Sequence, residues 1–307
     1  MLQLITDGLI VGSVIALGAV GVTLTYSLLK FANFAHSELL TWGAYLAMTF
    51  MGVFIAVSGG GVMRPIGPFS FGWPLLAALA ASAVLTALLA LAVEALVFRR
   101  LREKGAAIVL VIASFGVALA LRNLLMFVYG SLPDYYSREI QIAIRILPRD
   151  VMGGIRITPD QIFVLCLAVV LVVLLHLFLT RTIMGKAMRA TSENPALARV
   201  AGIDVARVIR VTWIIGAVLA AVAGVFAGLT VQVRPFLGFD LLLPLFAAAI
   251  LGGIGSVYGA VIGGLIVGLA ESLSVPIFGA EYRAAIAFLI LIAILLARPT
   301  GLFGERR

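Results

Sequence analysis

The sequence predicts an all-α membrane protein, a polytopic bundle of eight to ten transmembrane helices with one short additional helix on the cytoplasmic side. Composition is the first observation behind this prediction: hydrophobic residues make up 63% of the 307 residues and charged residues only 12%, whereas soluble domains have about 45–50% and 25%. The second is the recurrence of apolar stretches close to the roughly 20 residues that cross a bilayer as a helix. We therefore expect a single transmembrane domain over residues 1–307, with an external loop at residues 131–160 and a cytoplasmic loop at residues 181–210.

Nine apolar stretches are the candidate spans. They are Gly8–Leu29, Leu39–Val57, Trp73–Phe98, Ala106–Tyr129, Ile162–Thr180, Val208–Val231, Leu241–Ile254, Val257–Ser274 and Ala284–Ala297. The seventh and eighth are short and separated by glycines, which is compatible with a tight helical hairpin or a re-entrant pair. A polar cluster, Asn33–Glu38, precedes the second span and could break it.

The basic residues predict which loops are cytoplasmic. Three segments, Arg99–Lys104, Arg181–Arg210 and Arg298–Arg307, hold 13 of the 22 Lys and Arg residues, and basic residues collect on the cytoplasmic side. The segment Ser131–Asp160 has balanced charges, so we expect it outside. Nine full spans would place the N-terminus outside as well, and one crossing more or fewer would place it inside; the sequence leaves both open.

The external segment has a strand-like pattern of its own. Isoleucines recur at every second position from Ile140 to Ile146, which is the period of a half-buried strand. Gly153 and Gly154 are followed by Ile155–Thr158, which fits a returning strand. A small hairpin and an irregular loop are the two interpretations.

Small residues at four-residue spacing indicate closely packed helices. One series runs along the sixth span and another crosses the eighth, and small residues let helix backbones approach in lipid. The residues expected to pack in this way are Gly224, Gly228, Gly255, Gly259 and Gly263.

The cytoplasmic loop contains start and stop signals for a short helix. Asn194 is a favourable N-cap, Pro195 suits the first helical position and Gly202 suits a C-terminal stop, so about two turns are expected between them. Asp204 can cap the next span. The apolar side would consist of Ala196, Leu197, Val200 and Ala201. Such a helix could dock into a groove on another subunit or rest on lipid headgroups.

Several polar residues lie inside predicted spans, where a charge is costly and commonly functional. Arg122, beside Asn123, needs a partner, and Glu94, Glu271 or a substrate carboxylate are the candidates. Glu94 could instead reach the basic cluster that follows it. Asn33, His36 and Glu38 precede the second span, where they could cap its helix or line a pathway; the candidate pathway or gate residues are Asn33, His36, Glu38, Arg122, Asn123 and Glu271.

The sequence lacks the residues that several other classes of function require. The sole cysteine, Cys166, and the two separated histidines argue against a protein-bound metal site. No GxxxxGK[ST] loop occurs, so ATP cannot be held in the P-loop manner. The formal net charge of +8 could suggest nucleic acid, but its concentration in the three cytoplasmic segments explains it as membrane topology.

Four motifs, in order along nearly the whole chain, resemble those of permeases of the branched-chain amino-acid ABC importer family (the LivH type). Asn33–Glu38 reads NFAHSE, similar to the family's NFAHGE with Ser37 in place of glycine. The cytoplasmic loop resembles the family's RAxxENPxxAxxxGI. Residues 248–264 resemble its AAxLGGIGS and GAxxGG stretches, and residues 298–304 resemble its terminal RPxGLFG. One departure is Arg122, at a position where the family often has glutamine.

The resemblance implies a multi-pass permease of the bacterial inner membrane that is not itself an enzyme. Its partners would be lipid, a homologous second permease, two cytoplasmic ATPase subunits that bind ATP and Mg²⁺, and an external substrate-binding protein. No nucleic acid or resident cofactor is implied. The resemblance assigns coupling to the ATPase to these residues: Arg189, Ser192, Glu193, Asn194, Pro195, Ala198 and Gly202.

The sequence is compatible with an ABC importer subunit or a secondary transporter, and it argues against a membrane-embedded enzyme. The resemblance favours import of branched-chain or related small amino acids, while relatives that carry urea and short amides provide an alternative substrate class. A proton-coupled secondary transporter would use Glu38, His36, Glu94 or Glu271 as relay groups and would need no ATPase. A membrane-embedded enzyme would need a catalytic cluster, and the sequence contains no recognisable one.

Overall fold

A computed structural model describes residues 1–58, 65–102, 106–137, 141–147, 154–298 and 300–303. Its helices are α1 (Leu2–Leu29), α2 (Ala35–Val57), α3 (Trp73–Val93), α4 (Arg99–Arg102), α5 (Ala107–Tyr129), α6 (Pro159–Arg181), α7 (Ile183–Glu193), α8 (Pro195–Val200), α9 (Val205–Thr230), α10 (Leu237–Gly252), α11 (Val257–Phe278) and α12 (Arg283–Ala297). Two short strands, β1 (Ile144–Leu147) and β2 (Ile155–Ile157), complete the described elements.

Eight helices in the described part of the chain are long and apolar enough to cross a membrane. One of them, Trp73–Arg102, joins α3 to α4 through a π-helical turn at Glu94–Phe98. The predicted seventh span corresponds to α10, which has only 16 residues and contains Pro244. The expected all-α bundle of eight to ten spans is confirmed.

The core of the bundle is built around α1 and α9, whose residues are mostly buried, whereas α6 and α12 expose most of theirs. Glycines set the closest helix contacts. A Cβ at Gly264 would collide with the backbone of Ala16, and one at Gly268 with the backbone of Gly12. Because α1 and α11 approach so closely along this line, their backbones are in van der Waals contact without intervening side chains.

Four of the five glycines that were expected to pack lie against neighbouring groups. Gly224 faces the backbone of Leu40, Gly259 that of Gly252 and Gly263 that of Ala248, while Gly228 lies against the side chains of Tyr136 and Val233. The fifth differs.

Gly255 is not a helix-packing residue in this structure. It lies in the turn between α10 and α11 with a φ of +98°, which L side chains adopt only under strain. The four-residue spacing that connects it to Gly259 crosses the end of a helix, and its role is to let the chain reverse.

Two helices begin inside the bundle. The ring of His36, in the first turn of α2, lies beside Gly21, eight residues before α1 ends, which is about 12 Å along a helix axis. The link from α1 to α2 therefore turns back into the bundle. Helix α10 begins beside this turn, where the Gly238 amide donates to Thr41 Oγ1 at 2.9 Å.

The contacts made by the two ends of α1 show which side of the bundle each end lies on. Leu28 and Leu29 line a cavity together with Arg99, Arg199 and Arg210 of the basic segments. At the other end, Gln3 exchanges two hydrogen bonds with the backbone of Arg156, at 3.0 and 2.8 Å. The N-terminus therefore lies on the side of the 131–160 segment, opposite the basic loops.

The external segment contains the hairpin. Strands β1 and β2 pair antiparallel, with Ile144 opposite Ile157 and Arg145 opposite Arg156. Ile140 and Gly153 of the predicted pattern lie outside the described residues. Nearby, Tyr136 fixes the start of the segment, since its hydroxyl donates to the Ala44 carbonyl at 2.7 Å. Burial raises the pKa of this phenol well above its usual value, so the hydroxyl remains a donor.

Candidate functional site

A buried ion pair lies where α2 and α10 begin. Arg122 Nε donates to Glu38 Oε1 at 3.1 Å, and the terminal Nη2 binds the same oxygen. The guanidinium also lies over two rings, with its carbon 4.4 Å from the centroid of Phe239 and 5.6 Å from that of Phe236. Arg122 is only 8% exposed and Glu38 is fully buried. The pair and the rings together neutralise and shield a charge that would otherwise be very costly.

Two more polar residues lie at the start of the helix that carries Glu38: Asn33 just before α2 and His36 in its first turn. Asn33 Oδ1 accepts from the Ala35 amide at 3.2 Å, which satisfies one donor of the helix start, as the capping interpretation expects. The buried His36 ring lies beside Gly21 of α1. Three buried atoms, Asn33 Nδ2, His36 Nε2 and Glu38 Oε2, have no hydrogen-bond partner among the described residues. We call Asn33, His36, Glu38 and Arg122 the central cluster.

The partners expected for Arg122 differ from those found. Glu94 pairs instead with Arg102, at 2.6 Å, because both lie on the same continuous helix at the basic end. Glu271 lies in a separate outer cavity. Asn123 is exposed and its amide donates to the Leu119 carbonyl at 2.8 Å, since one residue along a helix turns a side chain by about 100°. Of the six candidate pathway residues, the structure thus pairs Arg122 with Glu38, places Asn33 and His36 at the start of the same helix α2, and separates Asn123 and Glu271 from the pair.

The helix caps predicted in the cytoplasmic loop are present in the structure. Asn194 Oδ1 accepts from the amides of Ala196 and Leu197, both at 3.0 Å, and Pro195 is the first residue of α8. Gly202 follows the helix with a φ of +82°. Asp204 Oδ1 accepts from the Arg207 amide at 2.9 Å and begins α9.

A simple amphipathic helix would pack its apolar side against the rest of the chain, and α8 does not. Ala198 is the buried residue, whereas Leu197 is 65% and Val200 86% exposed. The apolar side expected from the sequence therefore faces away from this chain. Arg189, Glu193 and Asn194 are also exposed, while Ser192 and Pro195 are half-buried.

Sequence reasoning missed α7, which contains Arg189, Ser192 and Glu193. Its start is signalled by Thr182, whose hydroxyl accepts from the Gly185 amide at 3.0 Å, as N-cap residues do. Met188 and Thr191 are its buried face. The 181–210 loop thus contains two consecutive capped helices, α7 and α8, rather than one.

Two cavities flank these features. One of about 780 Å³ lies at the basic end and is lined by residues of α1, the π-helical turn, α8 and α9. The other, of about 480 Å³, lies at the opposite end and contains Glu271. Within the described ranges, no group of three or more His, Cys, Asp or Glu side chains could hold a metal ion.

Comparison with known proteins gives full-length matches. A model of the family described as branched-chain amino acid transport system, permease component, matches residues 4–295. The chain is 36% identical over 311 residues to the high-affinity branched-chain amino acid transport system permease protein BraD of Pseudomonas aeruginosa, covering 99% of this chain and 96% of that protein. It is 33% identical over 311 residues to the permease protein LivH of Escherichia coli K12, with the same coverage.

A relative from an archaeon is also similar. The probable branched-chain amino acid transport permease protein LivH of Methanocaldococcus jannaschii is 31% identical over 316 residues, covering 98% of this chain and 92% of that protein.

Proposed function

The chain belongs to the family of permease components of branched-chain amino acid transport systems, and on that premise we propose that it is the membrane subunit of an ABC importer for branched-chain or related small amino acids. The observation that carries the proposal is the match along almost the whole chain to several permeases of this kind. The eight apolar helices agree with it.

The proposed assembly places the chemistry of ATP elsewhere. The chain lacks a P-loop motif, so ATP and Mg²⁺ would be bound by two cytoplasmic ATPase subunits. A second, homologous permease would complete the pathway, and a substrate-binding protein would deliver the solute from outside. The bacterial inner membrane is the proposed location, with the basic loops in the cytoplasm.

Coupling to the ATPase is assigned to α7, α8 and Gly202. The exposure of Leu197 and Val200 supports docking, because two large apolar side chains on the cytoplasmic side are left uncovered by the chain itself. The capped ends of α8 support a rigid lever that transmits motion to α9. The residues proposed for this role are Arg189, Ser192, Glu193, Asn194, Pro195, Ala198 and Gly202.

The central cluster is proposed to gate the pathway, with Asn123 and Glu271 as more distant pathway candidates. Two helix starts meet at the cluster, and interrupted helices near the middle of a membrane commonly mark the site where a transporter handles its solute. The unpartnered polar atoms of Asn33, His36 and Glu38 support a role beyond packing.

Reconstitution tests the transport proposal. The chain is placed in proteoliposomes with its partner permease, ATPases and binding protein, and uptake of labelled L-leucine and labelled urea is measured. We expect leucine uptake that requires ATP hydrolysis and is absent with a catalytically inactive ATPase. Uptake of urea alone, or leucine uptake driven by a proton gradient without ATP, would contradict the proposal.

A charge on α8 tests the docking surface. Leu197→Asp leaves the permease folded, because the side chain is exposed, but should sharply reduce the ATPase that co-purifies with it. Val231→Asp is the matched control, since Val231 is 67% exposed at the opposite end of α9. Equal co-purification with both variants would exclude docking through Leu197.

A further inference from the structure

The outer cavity contains a buried carboxylate without a partner. Glu271, on α11, is only 5% exposed, and its Oε1 has no hydrogen-bond partner among the described residues. Ser274 donates to the backbone carbonyl of Glu271, at 2.7 Å, and not to its carboxylate. Since an unpaired buried charge is costly, this group is suited to a cationic ligand.

A positive charge lies on another wall of the same cavity. Arg283, at the start of α12, lines the cavity with Glu271 and acts on it electrostatically, yet no ion pair joins them in the described structure. The neighbouring Arg234 differs, because it pairs with Asp240 at 2.9 Å. Among the described residues that line this cavity, Arg283 is therefore the guanidinium without an ion-pair partner.

The rest of the wall is largely aliphatic. Val14 of α1 and Leu237, Leu241 and Pro244 of α10 line the cavity between the charged residues. The volume of about 480 Å³ lies within the usual range for small-molecule sites, which are mostly apolar with a few placed polar groups. Gln232 and Glu281 also line the cavity, and Gln232 Oε1 accepts from the hydroxyl of Tyr135, in the 131–160 segment, at 3.1 Å.

We propose that this cavity binds a free aliphatic α-amino acid. The α-ammonium group donates to Glu271, the α-carboxylate meets Arg283, and the branched side chain packs on Val14, Leu237 and Leu241. The proposal rests on the proposed function and deepens it, because it gives the permease an amino-acid site of its own, separate from the binding protein. It also explains why Glu271 Oε1 is buried with no hydrogen-bond partner among the described residues.

The test uses the permease–ATPase complex in nanodiscs without its binding protein. Three probes are titrated separately by saturation-transfer NMR: L-leucine, 4-methylpentanoate, which lacks the ammonium group, and 3-methylbutylamine, which lacks the carboxylate. Glu271→Gln should weaken L-leucine and 3-methylbutylamine by about 10- to 100-fold, the usual effect of losing a hydrogen bond to a charged group, and leave 4-methylpentanoate unchanged. Arg283→Gln should weaken L-leucine and 4-methylpentanoate and leave the amine unchanged.

Asp7→Asn is the matched control. Asp7 is an outer carboxylate of α1 that accepts from Gln3 Nε2 at 2.9 Å and does not line the cavity, so its loss should change none of the three affinities. A purely structural role of Glu271 would affect all probes equally, and that result would overturn the proposal. Absence of leucine binding to the wild-type complex, while the complete importer transports leucine, would overturn the site and leave the proposed function standing. Failure of the importer to transport leucine would instead overturn the proposed function.

Discussion

At the scale of single residues, Arg122 depends on one partner. Glu38 accepts two hydrogen bonds from its guanidinium, and Phe239 covers its face. The sequence shows that an arginine inside a span needs a counter-charge, but it pointed to Glu94, Glu271 or a substrate carboxylate and not to Glu38, which lies 84 positions away. The pairing depends on the α1–α2 link, which turns back into the bundle and brings Glu38 within hydrogen-bonding distance of Arg122 on α5.

Removing one partner of this pair should destabilise the protein strongly. Arg122→Gln or Glu38→Gln leaves the other charge buried and unpaired, so we expect a loss of about 3–5 kcal/mol in the free energy of unfolding. The double variant should lose clearly less than the sum of the two, because no charge is left unpaired. Reversible unfolding in mixed micelles measures these values.

Arg181→Gln is the control for this comparison. Arg181 is an exposed arginine at the end of α6, and its substitution should stay within about 0.5 kcal/mol. Additive effects of Arg122→Gln and Glu38→Gln would show that the two residues do not stabilise each other.

At the scale of elements, glycines have two different structural roles. Gly202 permits a backbone conformation that ends α8, whereas Gly268 permits contact between the backbones of α11 and α1. In the interior of a helix, the four-residue spacing identifies the glycines that permit close contact between helices. It misassigns Gly255, because spacing alone does not show where a helix ends.

Gly202→Ala should uncouple ATP hydrolysis from transport. A Cβ is strained at a φ of +82°, at a cost of roughly 1–2 kcal/mol, so the turn relaxes and α8 shifts relative to α9. We expect leucine transported per ATP to fall severalfold while ATPase activity persists, as measured in proteoliposomes. Gly116→Ala is the control, since Gly116 has open space around it; equal coupling in the two variants would contradict the lever role.

Gly268→Ala should separate α1 from α11. The added Cβ would overlap the backbone of Gly12, and we expect a loss of about 1–3 kcal/mol in the free energy of unfolding. Gly52→Ala, where nothing lies within 4 Å, should be neutral or slightly stabilising. If both substitutions have the same effect in mixed-micelle unfolding, the close contact does not contribute to stability.

At the scale of the whole molecule, the two ends of α1 determine the topology. Its first turn binds the external hairpin through Gln3, and its last turn lies beside the basic segments. Helix α12 ends on the basic side, where the Leu302 amide donates to the Leu251 carbonyl at 2.8 Å and Gly255 lies near Ser27. The described termini of the bundle therefore lie on opposite sides.

Cysteine labelling tests this arrangement in cells. In a Cys166→Ser background, which removes the sole cysteine, single substitutions Leu2→Cys, Leu132→Cys and Ala196→Cys are exposed to a membrane-impermeant maleimide. We expect labelling from outside at positions 2 and 132, and labelling at position 196 only after the membrane is permeabilised. Protection of position 2 in intact cells would place the N-terminus in the cytoplasm and contradict the sidedness of α1.

The sequence by itself determined the class of the protein and the local structure of its cytoplasmic helix. Composition requires a lipid environment for most of the surface, and the caps at Asn194 and Asp204 depend only on neighbouring residues, so both could be predicted without a fold. The external hairpin also follows from local alternation. The family and its transport function could be inferred from four ordered motifs.

Only the tertiary structure decided which distant residues meet. The pairing of Arg122 with Glu38, the side of the N-terminus and the cavity that joins Glu271 to Arg283 all depend on how helices far apart in sequence pack together. Hydropathy and spacing record the periodicity of each helix, but they carry no information on its rotation, its depth or its neighbours. Because two charged groups form an ion pair only when they come within about 4 Å, the rotation, depth and neighbours of each helix decide which charges pair.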